Sequence, residues 1–342
     1  MKKILVTGGC GYIGGHTIVD LVGAGFEVIS VDDLSRGSMR MNAGIEKLLG
    51  RSIKNYNVNL CDAAGTRRIF EENTDIAGII HFAAFKSVPE SVAEPLMYFR
   101  NNIGSLVNIL QCAVEFGVKS FVFSSSCSVY GNDQKLPVGE DAPLADPESP
   151  YARTKVMGEQ ICADLARVTP GLSITLLRYF NPVGAHPSGL IGELQEKPEN
   201  LVPVITQTAI GKRASMTVFG TDYDTRDGSC VRDYIHVLDI AAAHTKALQY
   251  TLAGRNESNC EVFNLGTGEG VTVLEMIAAF EKVSGEKLSY ERGPRRPGDV
   301  VAVYANNDKA RNLLGWEIKY DLDASMDTAW KWEKVLAGTV EA

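Results

Sequence analysis

Metal-ligand spacings are missing from this sequence. Its five histidines, His16, His81, His186, His236 and His244, form no recognisable ligand pattern. Its seven cysteines, Cys10, Cys61, Cys112, Cys127, Cys162, Cys230 and Cys260, lie far apart, contain no C-x-x-C pair and are odd in number. That argues against a zinc site or a disulfide framework and for free thiols in a reducing compartment. No metal is expected. A surplus of positive charge is missing too. With 34 Lys and Arg against 42 Asp and Glu, the net charge is -8, which excludes a broad surface for nucleic acid or anionic membrane, both negative themselves. No uninterrupted apolar run approaches the roughly 18 residues of a membrane span. The start, Met1-Lys2-Lys3, has a charged front, but the apolar stretch behind it is too short for a signal peptide and glycines follow at once. Without such a signal, the sequon Asn256-Glu257-Ser258 reads as chance. A soluble, cytoplasmic protein is expected.

What is present is an ordinary globular mixture, 45% hydrophobic and 22% charged over 342 residues, enough for one large domain or two modest ones. Compact apolar runs predict strands over Lys3–Thr7, Glu27–Val31, Ile53–Val58, Gly78–Phe82, Ser120–Ser124 and Ile174–Leu177. Helical periodicity between them predicts Ile13–Val22, Ala64–Glu72, Pro95–Glu115 and Tyr151–Arg167. Continuous apolar strands suit a parallel sheet covered on both faces. The expected fold class is therefore α/β, a Rossmann-type doubly wound parallel sheet with a smaller C-terminal α/β substrate domain. From Asn181 to Asn200 the texture turns irregular, as in loops that bind something. Beyond it, helices are expected at Leu201–Gly211, Val237–Tyr250, Thr272–Val283 and Leu322–Trp332, strands at Met216–Phe219 and Val262–Leu265, and a frayed tail after Trp332.

The first strand runs into Thr7-Gly8-Gly9-Cys10-Gly11-Tyr12-Ile13-Gly14. Glycines make the tight turn and let a pyrophosphate approach the backbone, while the next helix aims its unpaired N–H groups at the charge. The second strand ends at Asp32-Asp33, close to the distance of about 20 residues at which an acid accepts from the adenosine ribose. A carboxylate there repels a 2′-phosphate and favours NAD over NADP. Further on, Pro150-Tyr151-Ala152-Arg153-Thr154-Lys155 places Tyr151 and Lys155 one turn apart on a helix. A phenol is a poor base, with an ordinary pKa of about 10; a neighbouring ammonium is expected to lower it. Alone, Y-x-x-x-K fits an ordinary helix surface. The run Ser124-Ser125-Ser126-Cys127-Ser128-Val129-Tyr130-Gly131 changes that reading, because hydroxyls at the carboxyl end of a core strand stand where such sheets bind ligands.

Together with His81-Phe82-Ala83-Ala84-Phe85-Lys86, the long run Leu177 to Gly189, Asn200-Leu201-Val202-Pro203, Val231-Arg232-Asp233-Tyr234 and Pro294-Arg295-Arg296-x-Gly298-Asp299, these motifs resemble the UDP-glucose 4-epimerases. Those are members of the extended short-chain dehydrogenase/reductases, and the likeness spans almost the whole chain. The resemblance implies NAD contacts from Gly8, Gly11, Tyr12, Ile13, Gly14, Asp32, Asn59, Leu60, Phe82, Ala83, Lys86, Asn101, Ser124, Tyr151, Lys155 and Phe180. It implies that Tyr151, Lys155 and Ser126 carry the chemistry, and that Lys86, Ser126, Tyr151, Asn181, Asn200, Leu201, Arg232, Arg296, Asp299 and Val303 hold the UDP-sugar. Residues 1–180, with a returning segment about 236–265, would form the NAD-binding domain, and 181–235 with 266–342 the UDP-sugar-binding domain. A homodimer packed through the helices around Pro95–Glu115 and Tyr151–Arg167 is implied as well.

Three departures stand out. Asn59 replaces the usual aspartate facing adenine, Ala84-Phe85 replaces Gly-Leu, and Pro89 replaces a glycine. The position four residues past Asp299 is Val303; members restricted to glucose and galactose commonly carry a tyrosine there, so valine is expected to admit the N-acetyl sugars as well, the alternative being a one-residue slip that gives Tyr304 the crowding role. A nucleotide-sugar 4,6-dehydratase is the nearest rival, but such enzymes place acids after the strand-end hydroxyl, where this chain has Cys127 and Ser128.

Overall fold

A computed structural model describes residues 1–131, 135–194, 198–296 and 299–342. Gly298 of the Pro294-Arg295-Arg296-x-Gly298-Asp299 motif lies outside the described residues. In chain order the strands are β1 (Lys3–Thr7), β2 (Glu27–Val31), β3 (Asn55–Tyr56), β4 (Ile76–His81), β5 (Ser120–Ser126), β6 (Ser173–Tyr179) and β7 (Asn181–Val183). They continue with β8 (Met216–Phe219), β9 (Val231–Arg232), β10 (Tyr234–His236), β11 (Cys260–Leu265), β12 (Val271–Thr272), β13 (Tyr290–Gly293) and β14 (Ala302–Val303). Seven of them form the central sheet in the order β11-β6-β5-β4-β1-β2-β3, and every pairing is parallel. This is the doubly wound arrangement expected. The order reverses between β1 and β4, which opens a crevice at their carboxyl ends.

Period-two alternation sends the strand side chains to two cores. Ile4, Val6, Val122, Leu177 and Phe263 pack with Ile18 and Leu21 of the Tyr12–Gly23 helix and with Ile240, Ala243 and Leu248 of the Val237–Leu252 helix. On the opposite face Leu5, Ile79, Phe121, Phe123 and Leu176 meet Ile69, Leu106, Ile109, Cys162 and Ala166. Burial on both sides is why these strands read as unbroken apolar runs rather than alternating ones. A third core, with Val202, Ile205, Met276, Phe280, Met326 and Trp330, knits together the later helices. Beside it run the short pairs β7 with β10, β8 with β13, and β9 between β12 and β14. Among the described residues no helix is long and apolar enough to cross a membrane.

Three expectations need correction. The strand expected at Ile53–Val58 shrinks to Asn55–Tyr56, the outermost position, where only β2 offers hydrogen bonds. The helix expected over Pro95–Glu115 is broken into Pro95–Tyr98, a π-helical stretch Phe99–Ile103 and Gly104–Glu115. That wide turn holds Asn102, whose amide accepts from Phe85 N at 2.8 Å and donates to Phe85 O and Thr154 Oγ1, both at 3.0 Å. The tail does not fray at Trp332. Its helix runs Leu322–Leu336, capped by Asp321 and anchored by buried Trp330 and Trp332. A helix at Met39–Leu49, capped by Ser38, was not anticipated, since its buried face is only Met41, Asn42, Gly44 and Ile45.

Candidate active site

At the mouth of the crevice, Gly8 takes the left-handed φ of +68°, and its N–H donates to Val31 O at 2.8 Å. A Cβ on Gly14 would stand 2.2 Å from the Gly8 carbonyl oxygen. The turn is thus packed backbone on backbone and tolerates no side chain there. Gly11 is the N-cap of the following helix, with no side-chain cap, so the first-turn N–H groups of Tyr12, Ile13 and Gly14 are left for a ligand anion. Asp32 stands at the end of β2, where its two carboxylate oxygens accept from Leu34 N at 2.9 Å and Cys10 N at 3.0 Å. Each oxygen keeps a lone pair for a ribose hydroxyl, and burial pushes the carboxyl above its ordinary range. These groups fit a dinucleotide. Arg36, which could have welcomed a 2′-phosphate, is paired with Glu90 and lies over the Phe85 ring.

Around this cradle, Ala83 N donates to Thr7 Oγ1 at 3.1 Å and the Phe82 ring meets His244 at 4.5 Å. Asn59 accepts from Cys61 N at 2.8 Å, Leu60 is buried, and Asn101 donates to Asn102 at 3.0 Å. The departures in this region have a local account. Asn102 holds Phe85 by both backbone groups. Pro89 sits in the first turn of the Val88–Ala93 helix, where a missing N–H costs nothing.

Tyr151 and Lys155 rise from the Pro150–Val168 helix, whose N-cap Ser149 accepts from Ala152 N at 3.2 Å. Lys155 Nζ donates to Ser124 O at 2.7 Å and lies 5.9 Å from the Tyr151 ring centre. Ser124 Oγ donates to Tyr179 Oη at 2.8 Å, and Ser126 lies beside the Tyr151 phenol. Burial pushes Lys155 down to about 8, opposed by the charge of Glu159. Burial raises Tyr151 well above a phenol's ordinary value, and Ser126 works against that rise.

On the facing side, Arg232 of β9 donates to Val300 O at 2.6 Å and stands 3.7 Å from Asp299. Arg296 forks onto the same carboxylate at 3.0 and 3.2 Å. One acid thereby gathers two guanidinium groups. Val303 lies opposite Arg232 in the β14–β9 register, buried in a cluster with Tyr130, Phe180 and Ala305. Its neighbour Tyr304 turns away, packing its ring against Gly270. Asn181 donates its N–H to Asp233 O at 2.9 Å, while its buried Oδ1 has no hydrogen-bond partner among the described residues.

The cofactor side and this side are tied directly. Tyr12 Oη donates to Gly184 O at 2.5 Å. Lys86 Nζ pairs with Glu193 at 2.8 Å, and Asn200, the N-cap before Leu201, reaches the same oxygen at 3.4 Å. Sequence reasoning missed Glu193, Tyr179, Asn102 and Asp233. Asp233, fully buried, accepts from Thr267 N, Thr267 Oγ1, Gly268 N and Ala305 N. It lay inside a quoted motif, but only the fold shows which loops its carboxylate gathers.

A family model described as GDP-mannose 4,6 dehydratase matches residues 5–328. A UDP-glucose 4-epimerase from Bacillus subtilis (strain 168) is 46% identical over 331 residues, which are 96% of this chain and 96% of that one. The chain belongs to the UDP-glucose 4-epimerase family. Among solved structures, a family member from Stenotrophomonas maltophila with bound NAD and formylated UDP-arabinopyranose superposes with a TM-score of 0.95 at 42% identity, covering 99% of this chain and 100% of that one. The UDP-Glc/GlcNAc 4-epimerase of Campylobacter jejuni gives 0.84 at 40% identity, covering 98% and 100%. The family model's description names a dehydratase, yet after Ser126 this chain offers Cys127, whose thiol burial pushes up to about 12, and Ser128. Neither serves as an elimination acid at neutral pH.

Proposed function

We propose that this chain interconverts UDP-glucose and UDP-galactose by reversible epimerisation at C4. The observation that carries the reading is the convergence of Tyr151, Ser126 and Lys155 at the carboxyl end of β5. Bound NAD supplies a hydride acceptor that ends each cycle as it began it. As the phenolate, a form that the Lys155 ammonium and the positive nicotinamide would favour, Tyr151 would take the C4 hydroxyl proton, directly or through Ser126, and later return it. Lys155 contributes positive charge beside the phenol and hydrogen bonds for the nicotinamide ribose. Arg232 and Arg296 neutralise the diphosphate, a task suited to forked guanidinium groups, and Asn181 offers its free Oδ1 to the sugar or uridine. Asn200 and the start of the Leu201–Ala209 helix bound the nucleotide on the other side. The 4-keto sugar turns about its phosphate linkage, exposes its other face and is reduced there. In this division of labour, residues 1–180 with 236–265 hold the dinucleotide, and 181–235 with 266–342 hold the UDP-sugar.

We also propose that the N-acetyl sugars UDP-GlcNAc and UDP-GalNAc are accepted. Val303 supports this by its size, and Tyr304 cannot take the crowding role while its ring packs on Gly270. A homodimer is the third proposal, supported by exposed Val107 and Val114 on one face of the Gly104–Glu115 helix.

The direct test incubates purified protein with UDP-galactose and then UDP-GalNAc, without added NAD, and follows the C4 epimers. Wild type is expected to convert both. Tyr151→Phe is expected to lose at least about 100-fold in kcat, the usual scale for a general acid–base group. Unchanged turnover in that variant contradicts the assignment.

A further inference from the structure

Glu159 follows Lys155 by one helical turn and Tyr151 by two, on the same face of the Pro150–Val168 helix. Its carboxylate is buried. Oε1 accepts from Ser125 Oγ at 2.5 Å and from Arg178 Nε at 2.9 Å, and Oε2 accepts from Arg178 NH2 at 2.6 Å. Arg178 is equally buried and passes the network on to Tyr130 Oη at 2.9 Å, which meets Asn264 Oδ1 at 2.6 Å. A buried ion pair is weak evidence for stability, since apolar residues of similar volume usually serve as well. Its placement points to another role.

Two consecutive residues of β5 are held by residues one turn apart on the helix, and the third stands beside the next one. Ser124 takes Lys155 on its carbonyl and Ser125 donates to Glu159, while Ser126 lies close enough to the Tyr151 phenol to work against its raised pKa. Alternation turns Ser125 to the face opposite Ser124 and Ser126, so its hydroxyl faces the helix rather than the crevice. The strand–helix approach is close as well: a Cβ on Gly158 would stand 2.5 Å from Phe123 Cζ. β6 fixes the other side, with Arg178 opposite Ser125 and Tyr179 opposite Ser126.

We infer that Glu159, braced by Arg178, is a positioning residue: through Ser125 it sets the register of β5 against the helix, and so the geometry between Ser126 and Tyr151. The inference rests on the epimerase reading above. Misplacing a reacting group by about an ångström can cost on the order of 100-fold in rate, so loosening one of these ties is expected to cost about 10-fold.

Ser125→Ala tests this cleanly, because it removes the tie and leaves Glu159 paired with Arg178. Its kcat on UDP-galactose is expected to fall about 10-fold, with KM within twofold of wild type and the melting temperature nearly unchanged. A kcat within twofold of wild type overturns the inference. A loss of kcat shared with a raised KM and a lowered melting temperature also overturns it, since that is general loosening. Tyr151→Phe runs alongside. If it remains active, the epimerase reading has failed; if it is dead while Ser125→Ala is normal, only the positioning role has failed. Should Ser125→Ala prove insoluble, Glu159→Met with Arg178→Met replaces the pair without leaving a lone charge, and the same split between kcat and melting temperature decides.

Discussion

Lys155 shows what a proton-handling site costs its fold. Burial holds its ammonium near 8, against an ordinary 10.5. Between those values the unfolded chain binds the proton that the folded chain has released, so stability rises with pH through that window. Below it both states are charged, and the full cost of burying the charge is present. Replacing Lys155 by methionine is therefore expected to raise the melting temperature of cofactor-stripped protein at pH 7, with the gain shrinking as pH climbs from 8 towards 10.5. Thermal melts of both proteins across that range check it; a gain that does not depend on pH contradicts it. Turnover should fall in the same variant, a trade common at active sites. Val303 poses the opposite problem, a side chain whose merit is its small size. Val303→Tyr would crowd the site beside Phe180, and overpacking costs about 1–3 kcal/mol. The kcat/KM for UDP-GalNAc is expected to fall about 10- to 100-fold, while UDP-galactose turnover stays within about threefold. Equal losses on both substrates would remove Val303 from the specificity argument. That Val303 rather than Tyr304 faces Phe180 could not be read from spacing alone. It follows from the pairing of β14 with β9, since a one-residue slip reverses every side chain on a strand.

At the scale of elements, the parts of the sheet that were legible are those whose burial is strictly apolar. β1 and β2 end where their hydrophobic runs end, at Thr7 and Val31. β5 runs on through Ser125 and Ser126, because Glu159 takes the Ser125 hydroxyl and Ser128 N donates to that of Ser126, so that the buried strand end is not left unpaired. Serine runs carry no strand signal, so those two residues were visible as chemistry and invisible as structure. The π-helical stretch Phe99–Ile103 is a similar case. Its apolar spacing resembles a continuous helix, and only the bonds from Asn102 to Phe85 and Thr154 justify the wider turn. Lys86 and Glu193 stand 107 residues apart. Each was visible as a charged residue in a loop, but no local rule pairs them.

On the whole molecule, exposed apolar side chains are unevenly spread. Val92, Leu96, Val107 and Val114 all fall between positions 92 and 114 of the sequence, and an exposed apolar patch marks a contact surface. Val107 and Val114, 37% and 41% exposed, are two turns apart on the Gly104–Glu115 helix, so a second copy of the helix could cover both with one apolar stripe. In a C2 pair such a stripe meets itself, and opposing like charges there would be intolerable. Val107→Glu combined with Val114→Glu is thus expected to turn a dimer into monomers in sedimentation equilibrium. The sheet and its crevice lie behind Leu106, Ile109 and Leu110, which face inward, so the separated chain should keep its helical circular dichroism. If the doubly substituted protein sediments as wild type does, the pairing surface lies elsewhere. If wild type is itself monomeric, this apolar stripe needs another partner.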